Sequence, residues 1–295
     1  MGIRFPQGFK ITNNAVFLPK IGWIGFRASR KILGTPKSVT IYEKAGRWFV
    51  SILAEREVDI LQHPSPSVVG IDLGVKIFAA ISNGEKIAGP NAFKRLQRHL
   101  AHLQRNLARC VKYSKNWRKA KAKISRLHVR IANVRNDAIH KTSTTISKNH
   151  AVVMIEDLRI GNMTTSAKGT IEEPGKNVAQ KSGLNRAILD QGWGSFGRML
   201  EYKLAWNGGL LVRVDPKNTS RACPTCGFIS AANRTTQERF VCVSCGRKEN
   251  ADVNAAINIH ERGLKLIQGG ATPGVLVEGS TSPAKQEARR NRKVA

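Results

Sequence analysis

Long hydrophobic runs are missing from this chain. None of about 18 apolar residues occurs in its 295 residues, which argues against a membrane-spanning helix. The N-terminus lacks the charged, apolar and small-residue zones of a secretory signal, so a cytoplasmic location is expected. Cysteine is scarce and odd in number, five in all, which argues against a disulfide scaffold. Acidic residues are outnumbered, 20 Asp and Glu against 49 Lys and Arg, leaving a net charge of +29. Such an excess repels itself unless a polyanion shares it, and nucleic acid is the expected partner. An anionic membrane fits less well, because no amphipathic anchor stands out. A Ser-His-Asp arrangement, a Gly-rich phosphate loop and a Rossmann fingerprint are also absent. His99 and His102 share a helix face but find no third ligand.

What is present has the 41% hydrophobic content of a globular protein, long enough for one large or two modest domains. Residues 1–66 carry short alternating β-rich stretches with "KAGR" as a hairpin turn, part of a small barrel or sandwich. "HPSPS" at 63–67 reads as a linker. "SVVGIDLGVKIFAAISNGEKIAGP" then predicts three consecutive strands, over 67–74, 75–82 and 85–88.

Residues 92–149 change character. Leu96, Leu100, Leu103 and Leu107 recur at helical spacing, as do Ile124, Leu127, Ile131 and Val134. The pattern breaks around "YSKNW", predicting a helical hairpin. Lys or Arg fills sixteen positions from Lys94 to Lys148, and the only acid among them is Asp137. Solvated helix faces mix signs, so this one reads as a phosphate-binding surface. Its candidate nucleic-acid contacts are Lys94, Arg95, Arg98, Arg105, Arg109, Lys112, Lys115, Arg118, Lys119, Lys121, Lys123, Arg126 and Arg130.

"AVVMIEDL" at 151–158 is a short apolar strand ending in two acids. A polar loop over 161–185 precedes one helix over "NRAILDQGWGSFGRMLEYKLAW", then a strand at 210–216. A cysteine module spans 220–250, a helix follows over 251–265, and a disordered tail is expected over 268–295.

Two constellations carry chemistry. Cys223-x2-Cys226-x15-Cys242-x2-Cys245 has the spacing of a four-cysteine zinc site, with Gly227 and Gly246 allowing each knuckle to turn tightly. Four thiolates close the ion's coordination, so this single Zn²⁺ is expected to be structural. Cys110 stands alone and reads as a small apolar filler.

The second constellation is Asp72, Glu156 and Asp252, with Asp157 as the rival to Glu156. A lone carboxylate in the apolar strand "SVVGIDLGVKI" costs several kcal/mol by rough estimate. A meander, then a helix and strand, then a late helix is the order of an RNase H-like α/β fold. There the fourth strand lies parallel beside the first and the late helix crosses both, bringing distant carboxylates together. Oxygen donors suit Mg²⁺ or Mn²⁺, and two ions about 4 Å apart promote phosphodiester hydrolysis. Bound cations would offset the cost of the buried acid.

These motifs in this order resemble the TnpB (OrfB) family encoded by insertion sequences, a family related to type V CRISPR effector nucleases. "VGIDLGVKIFAAIS", "VMIEDL", "VRVDPKNTSRACPTCG", "FVCVSCG" and "NADVNAAINI" carry the resemblance, which covers roughly residues 40–262. It implies a RuvC-type nuclease with an inserted zinc ribbon, guided to DNA by an RNA made from the transposon end. The aspartate of the family's "GIDLG" falls on Asp72, the glutamate of "IEDL" on Glu156 and the aspartate of "ADVNAA" on Asp252. The zinc cysteines fall on Cys223, Cys226, Cys242 and Cys245, and the basic helices fall where the family grips the guide–target heteroduplex.

The expected division is a partial N-terminal β-barrel over 1–66, short relative to the family, then nuclease segments at 67–91, 150–219 and 251–267. The basic helices at 92–149 and the ribbon at 220–250 interrupt them. Competing readings are a nucleic-acid-binding remnant that cuts nothing and a transposase that joins strands without a guide.

Overall fold

The computed structural model describes residues 2–58 and 61–269. These divide into two units, residues 2–58 with 99–130, and residues 61–98 with 131–269.

The first unit begins with β1 (Gly2–Phe5), β2 (Lys10–Ile11), β3 (Ala15–Leu18), β4 (Gly22–Gly25), β5 (Thr35–Lys44) and β6 (Arg47–Glu55). Strands β1, β5 and β6 form one antiparallel sheet, and β2, β3 and β4 another. Alternate apolar positions, Val16 and Leu18, Val39 and Ile41, Val50 and Ile52, turn inward and share one small core. The turn between β5 and β6 is two residues long, as "KAGR" predicts, with Ala45 and Gly46 both at positive φ.

Three strands follow: β7 (Val68–Asp72), β8 (Ala79–Ile81) and β9 (Lys86–Ile87). Helices α1 (Ala92–Ala108) and α2 (Lys115–Asn149) are joined by a turn over 109–114, where the periodicity breaks. Leu100, Leu127 and Ile131 are buried, and Leu96, Leu103, Leu107 and Ile124 partly so, while Val134 is exposed. Beyond Ile131 the inward stripe passes instead through Ile139, Ser143 and Ile146, so Val134 falls off it.

The second unit continues with β10 (Val152–Glu156), α3 (Ile160–Met163), α4 (Val178–Gln191), α5 (Trp193–Trp206) and β11 (Leu210–Val214). It ends with β12 (Arg239–Val241), β13 (Lys248–Asn250) and α6 (Ala251–Gln268). Its main sheet has the order β11-β10-β7-β8-β9. Strand β10 runs parallel to both β7 and β11, whereas β8 and β9 are antiparallel.

Side-chain parity assigns each face of this sheet. Val69, Ile71, Val153, Ile155 and Leu211 pack with Ile139, Ile146, Ile188, Phe196, Leu200 and Leu204 on one face. Met154, Val212 and Val214 pack with Ile259 of α6 on the other. Residues of the three parallel strands are buried on both sides, which is why these strands read as continuous apolar runs. Gly70 faces α6, and a methyl there would overlap the backbone oxygen of Ala256 and the backbone nitrogen of His260. The helix therefore rests directly on the strand's main chain.

Three expectations change. The single helix expected after residue 185 is two, because Gly192 takes a left-handed conformation (φ 72°) between α4 and α5. The loop expected over 161–185 shrinks to 164–177, its ends absorbed by α3 and α4. "HPSPS" is no free linker: His63 is buried, its Nε2 donates to the Ser147 carbonyl, and its Nδ1 accepts from the Ser65 N–H. Of the expected tail, Gln268 closes α6 and Gly269 follows it, and the rest lies outside the described residues.

The Gly70 contact gives a graded prediction. Gly70→Ala sets a methyl against immovable backbone and should cost about 2–4 kcal/mol. Gly263→Ala meets only the Met154 side chain, which can shift, and should cost about 1 kcal/mol. Urea unfolding of the two variants should separate them, and equal losses would refute backbone-on-backbone packing as the cause.

Candidate functional site

Parity also aims the acids. Asp72 and Glu156 each lie one residue beyond a residue of the α5-facing core, so both project to the α6 side. Ile71 pairs with Ile155 in the parallel register, and the two acids therefore end adjacent strands at the same level. Asp157 is exposed and falls on the opposite parity. Helix α6 brings the third acid. Asn250 caps it, its side chain accepting from the N–H groups of Asp252 and Val253, and Asp252 sits in the first turn, where the helix dipole favours negative charge.

The acids act on one another electrostatically. Burial, reinforced by the charges of Glu156 and Asp252, pushes the Asp72 carboxyl up to about 7, partly opposed by Arg234. Burial also raises Glu156, against the hydrogen bond from Thr219 Oγ1 to Glu156 Oε1 at 2.5 Å and the charge of Arg262. Arg234 Nη2 lies 3.4 Å from Asp252 Oδ1. Among the described residues, only the four sulfurs form a ligand group whose atoms all lie within 4.8 Å of one another.

That cysteine group matches its predicted spacing. Gly227 and Gly246 both take φ near +74°, closing each knuckle. The Cys223–Cys245 sulfurs are 3.6 Å apart and the Cys226–Cys242 sulfurs 3.5 Å, far too long for disulfides and close to the roughly 3.8 Å edge of a tetrahedral Zn–S₄ unit. The Cys245 N–H draws the Cys242 thiol down, while the sulfurs of Cys226, Cys223 and Cys242 push the Cys245 thiol up, so the four sulfurs titrate as one interacting group. Asn233 ties the knuckles together, donating to the Arg221 and Phe228 carbonyls and accepting from the Val243 N–H. Cys110 is separate and half-buried.

The module is fastened to the sheet by residues the sequence reading passed over. Asn254 and Asn258, one turn apart on α6, donate to the Ala222 carbonyl, and Asn258 also to that of Thr219. Arg262 holds the carbonyls of Asp215 and Lys217, and Lys76 pairs with Glu238. The i, i+4 recurrence of asparagine in "NAAIN" was the available signal for the first two. Nothing in the sequence period marks Thr219 or Arg234. Asp190, buried on α4, is a further acid: it accepts from the N–H groups of Phe93 and Lys94 and lies 3.6 Å from Arg135, fixing the start of α1.

All thirteen basic residues singled out on the hairpin, from Lys94 through Arg130, are exposed. No helix among the described residues is long and apolar enough to cross a membrane.

Fold and site thus define a mixed α/β protein with a carboxylate-bearing sheet, an attached four-cysteine module and an exposed basic helical pair. A family model described as "Probable transposase" (OrfB) matches residues 51–167, and one for the Cas12f1-like TNB domain matches 193–259. A protein of Escherichia coli K12, InsQ, is 48% identical over 286 residues, covering 96% of this chain and 70% of the relative. A Streptomyces pristinaespiralis protein is 38% identical, covering 78% of this chain and 53% of its own length. The names of both relatives provisionally assign them RNA-guided DNA endonuclease activity. A solved CRISPR-Cas12f ternary complex aligns with 76% of this chain and 45% of that one, at 21% identity and a TM-score of 0.44. The chain belongs to the OrfB (TnpB) transposase family, and it spans about half the length of the Streptomyces relative.

The raised Asp72 value fixes a sign. Below about pH 4 the group is protonated in both states and contributes fully. As pH rises toward 7 the unfolded chain ionises first, so stability is lost through that window. In metal-free protein the loss should reach about 2–4 kcal/mol by pH 8. Asp72→Asn should flatten the pH dependence of urea unfolding by that amount, and curves of equal slope for the two proteins would contradict the assignment.

Proposed function

We propose that this chain is a transposon-encoded, RNA-guided DNA endonuclease built on an RNase H-like, RuvC-type core. The observation that carries this reading is the placement of Asp72, Glu156 and Asp252. Two acids end neighbouring parallel strands on one face, and the third enters from the first turn of the helix covering that face. The family relatives support the guided chemistry.

In this reading residues 67–91, 150–219 and 251–267 form the nuclease, 220–250 the zinc ribbon, 92–149 the basic insertion and 1–66 the barrel segment. Asp72, Glu156 and Asp252 are the catalytic carboxylates and hold two Mg²⁺ or Mn²⁺ ions. Divalent cations supply the Lewis acidity and charge neutralisation that in-line phosphodiester hydrolysis requires. The protein's own part is positional. Thr219 fixes one oxygen of Glu156, Asn250 fixes the turn bearing Asp252, and Arg234 places a guanidinium where a phosphate's charge would arrive. Cys223, Cys226, Cys242 and Cys245 hold one structural Zn²⁺, which keeps Arg234 in place. The exposed cations from Lys94 to Arg130 contact the phosphates of guide RNA and target DNA. A cytoplasmic location fits this work.

Two measurements test the reading. Protein co-expressed with RNA from the transposon end should retain that RNA and cut matching DNA only with Mg²⁺ or Mn²⁺. Asp72→Ala should lower cutting at least roughly a thousandfold while RNA retention persists. Guide-independent strand joining, or salt-sensitive binding without cutting, would replace the reading with one of its rivals. Metal analysis should find one zinc per chain, lost in Cys242→Ser and kept in Cys110→Ser; zinc retention in both variants would exclude the four-sulfur site.

A further inference from the structure

The turn between α1 and α2 exposes an aromatic ring at the tip of the basic hairpin. Tyr113 is 64% exposed and Val111 is 79% exposed. Tyr113 sits at φ 67°, a left-handed conformation that bulky residues seldom adopt, so the turn presents the ring rather than folding it away. Trp117 lies beside it, with ring centroids 5.4 Å apart. Ser114 Oγ accepts from the Trp117 N–H and so fixes the backbone from which the indole projects. Lys112 Nζ lies 5.2 Å from the Tyr113 ring and Lys121 Nζ 5.0 Å from the Trp117 ring.

A second observation concerns charge. Lys115, Arg118 and Lys119 crowd the first turns of α2, which hold no acid in the opening turn. The positive end of a helix dipole repels cations, at about 0.3–1 kcal/mol each. An external anion would offset that repulsion. An exposed aromatic ring and clustered cations on one turn are the two halves of nucleotide recognition: a face for the base and donors for its phosphates.

From this the geometry points to a stacking site for an unpaired nucleotide at the hairpin tip. The base lies on Tyr113, backed by Trp117, and its phosphates engage Lys115, Arg118 and Lys119 at the start of α2. This deepens the nucleic-acid reading proposed above and rests on it. Paired bases keep their faces inside the stack, so the site selects the frayed end or overhang of a duplex over its interior. The rival structural role is a hydrophobic staple that merely stiffens the turn.

The test uses the full chain and fluorescently labelled duplexes, blunt or carrying a short single-stranded overhang, in DNA and in RNA. Tyr113→Leu keeps apolar bulk but removes the π-face; Tyr113→Phe keeps both. Wild type and Tyr113→Phe should prefer the overhang probe. Tyr113→Leu should lose about tenfold affinity for it, with blunt-duplex affinity and the slope of log K against log salt unchanged. The nucleic acid showing the larger effect is the one that supplies the base. Equal loss on both probes in Tyr113→Leu, a shallower salt slope, or full affinity in that variant would each overturn the stacking site. Wild type binding both probes equally would overturn this site alone; wild type binding neither would overturn the nucleic-acid reading with it.

Discussion

Helix α6 lies against the bare main chain of β7, and much of the second unit follows from that contact. At Gly70 there is no room for even a methyl group between strand and helix. Close approach brings the first turn of α6, which carries Asp252, toward the end of β7, near enough for its charge to raise the Asp72 carboxyl. The apolar layer of Met154, Val212, Val214 and Ile259 seals the same face. A looser layer would let the acids separate and relax their repulsion. A tight one holds them together against it, which is how a folded protein stores unfavourable electrostatics at a site.

The charge distribution is correspondingly lopsided. The chain as a whole has far more cations than anions, yet it concentrates acids where strand ends and a helix start converge. Arg234 and Arg262 are the cations that temper this cluster, one from between the knuckles and one from α6. The hairpin cations are instead open to solvent along their helices. Opposite environments thus serve groups that would otherwise neutralise each other.

Much of this was legible in the sequence because it has a period or a spacing. The parallel strands announce themselves as apolar runs, the hairpin helices as leucines three and four apart, and the metal knuckles as paired cysteines followed by glycine. Asp72 stood out because an acid interrupts an apolar run, whereas Glu156 kept Asp157 as a rival until the strand register gave the two opposite parity. What escaped was aperiodic or tertiary. Gly192 breaks a helix whose apolar pattern continues through it. His63 looks like part of a linker until its two ring nitrogens find main-chain partners. Thr219 and Arg234 reach the acids only through the folding of the cysteine module, and no local pattern marks either.

Strand β13 ends at Asn250 and α6 starts at Ala251, with no residue between them. The module that carries the four thiols therefore has no slack where it joins the helix that carries Asp252. Any rotation of one is geared to the other, as two wheels fixed on a single axle. Excision or replacement of the module can succeed only if the incoming segment leaves through the same asparagine in the same direction. A flexible tether at this joint would free the two parts and dissolve the alignment.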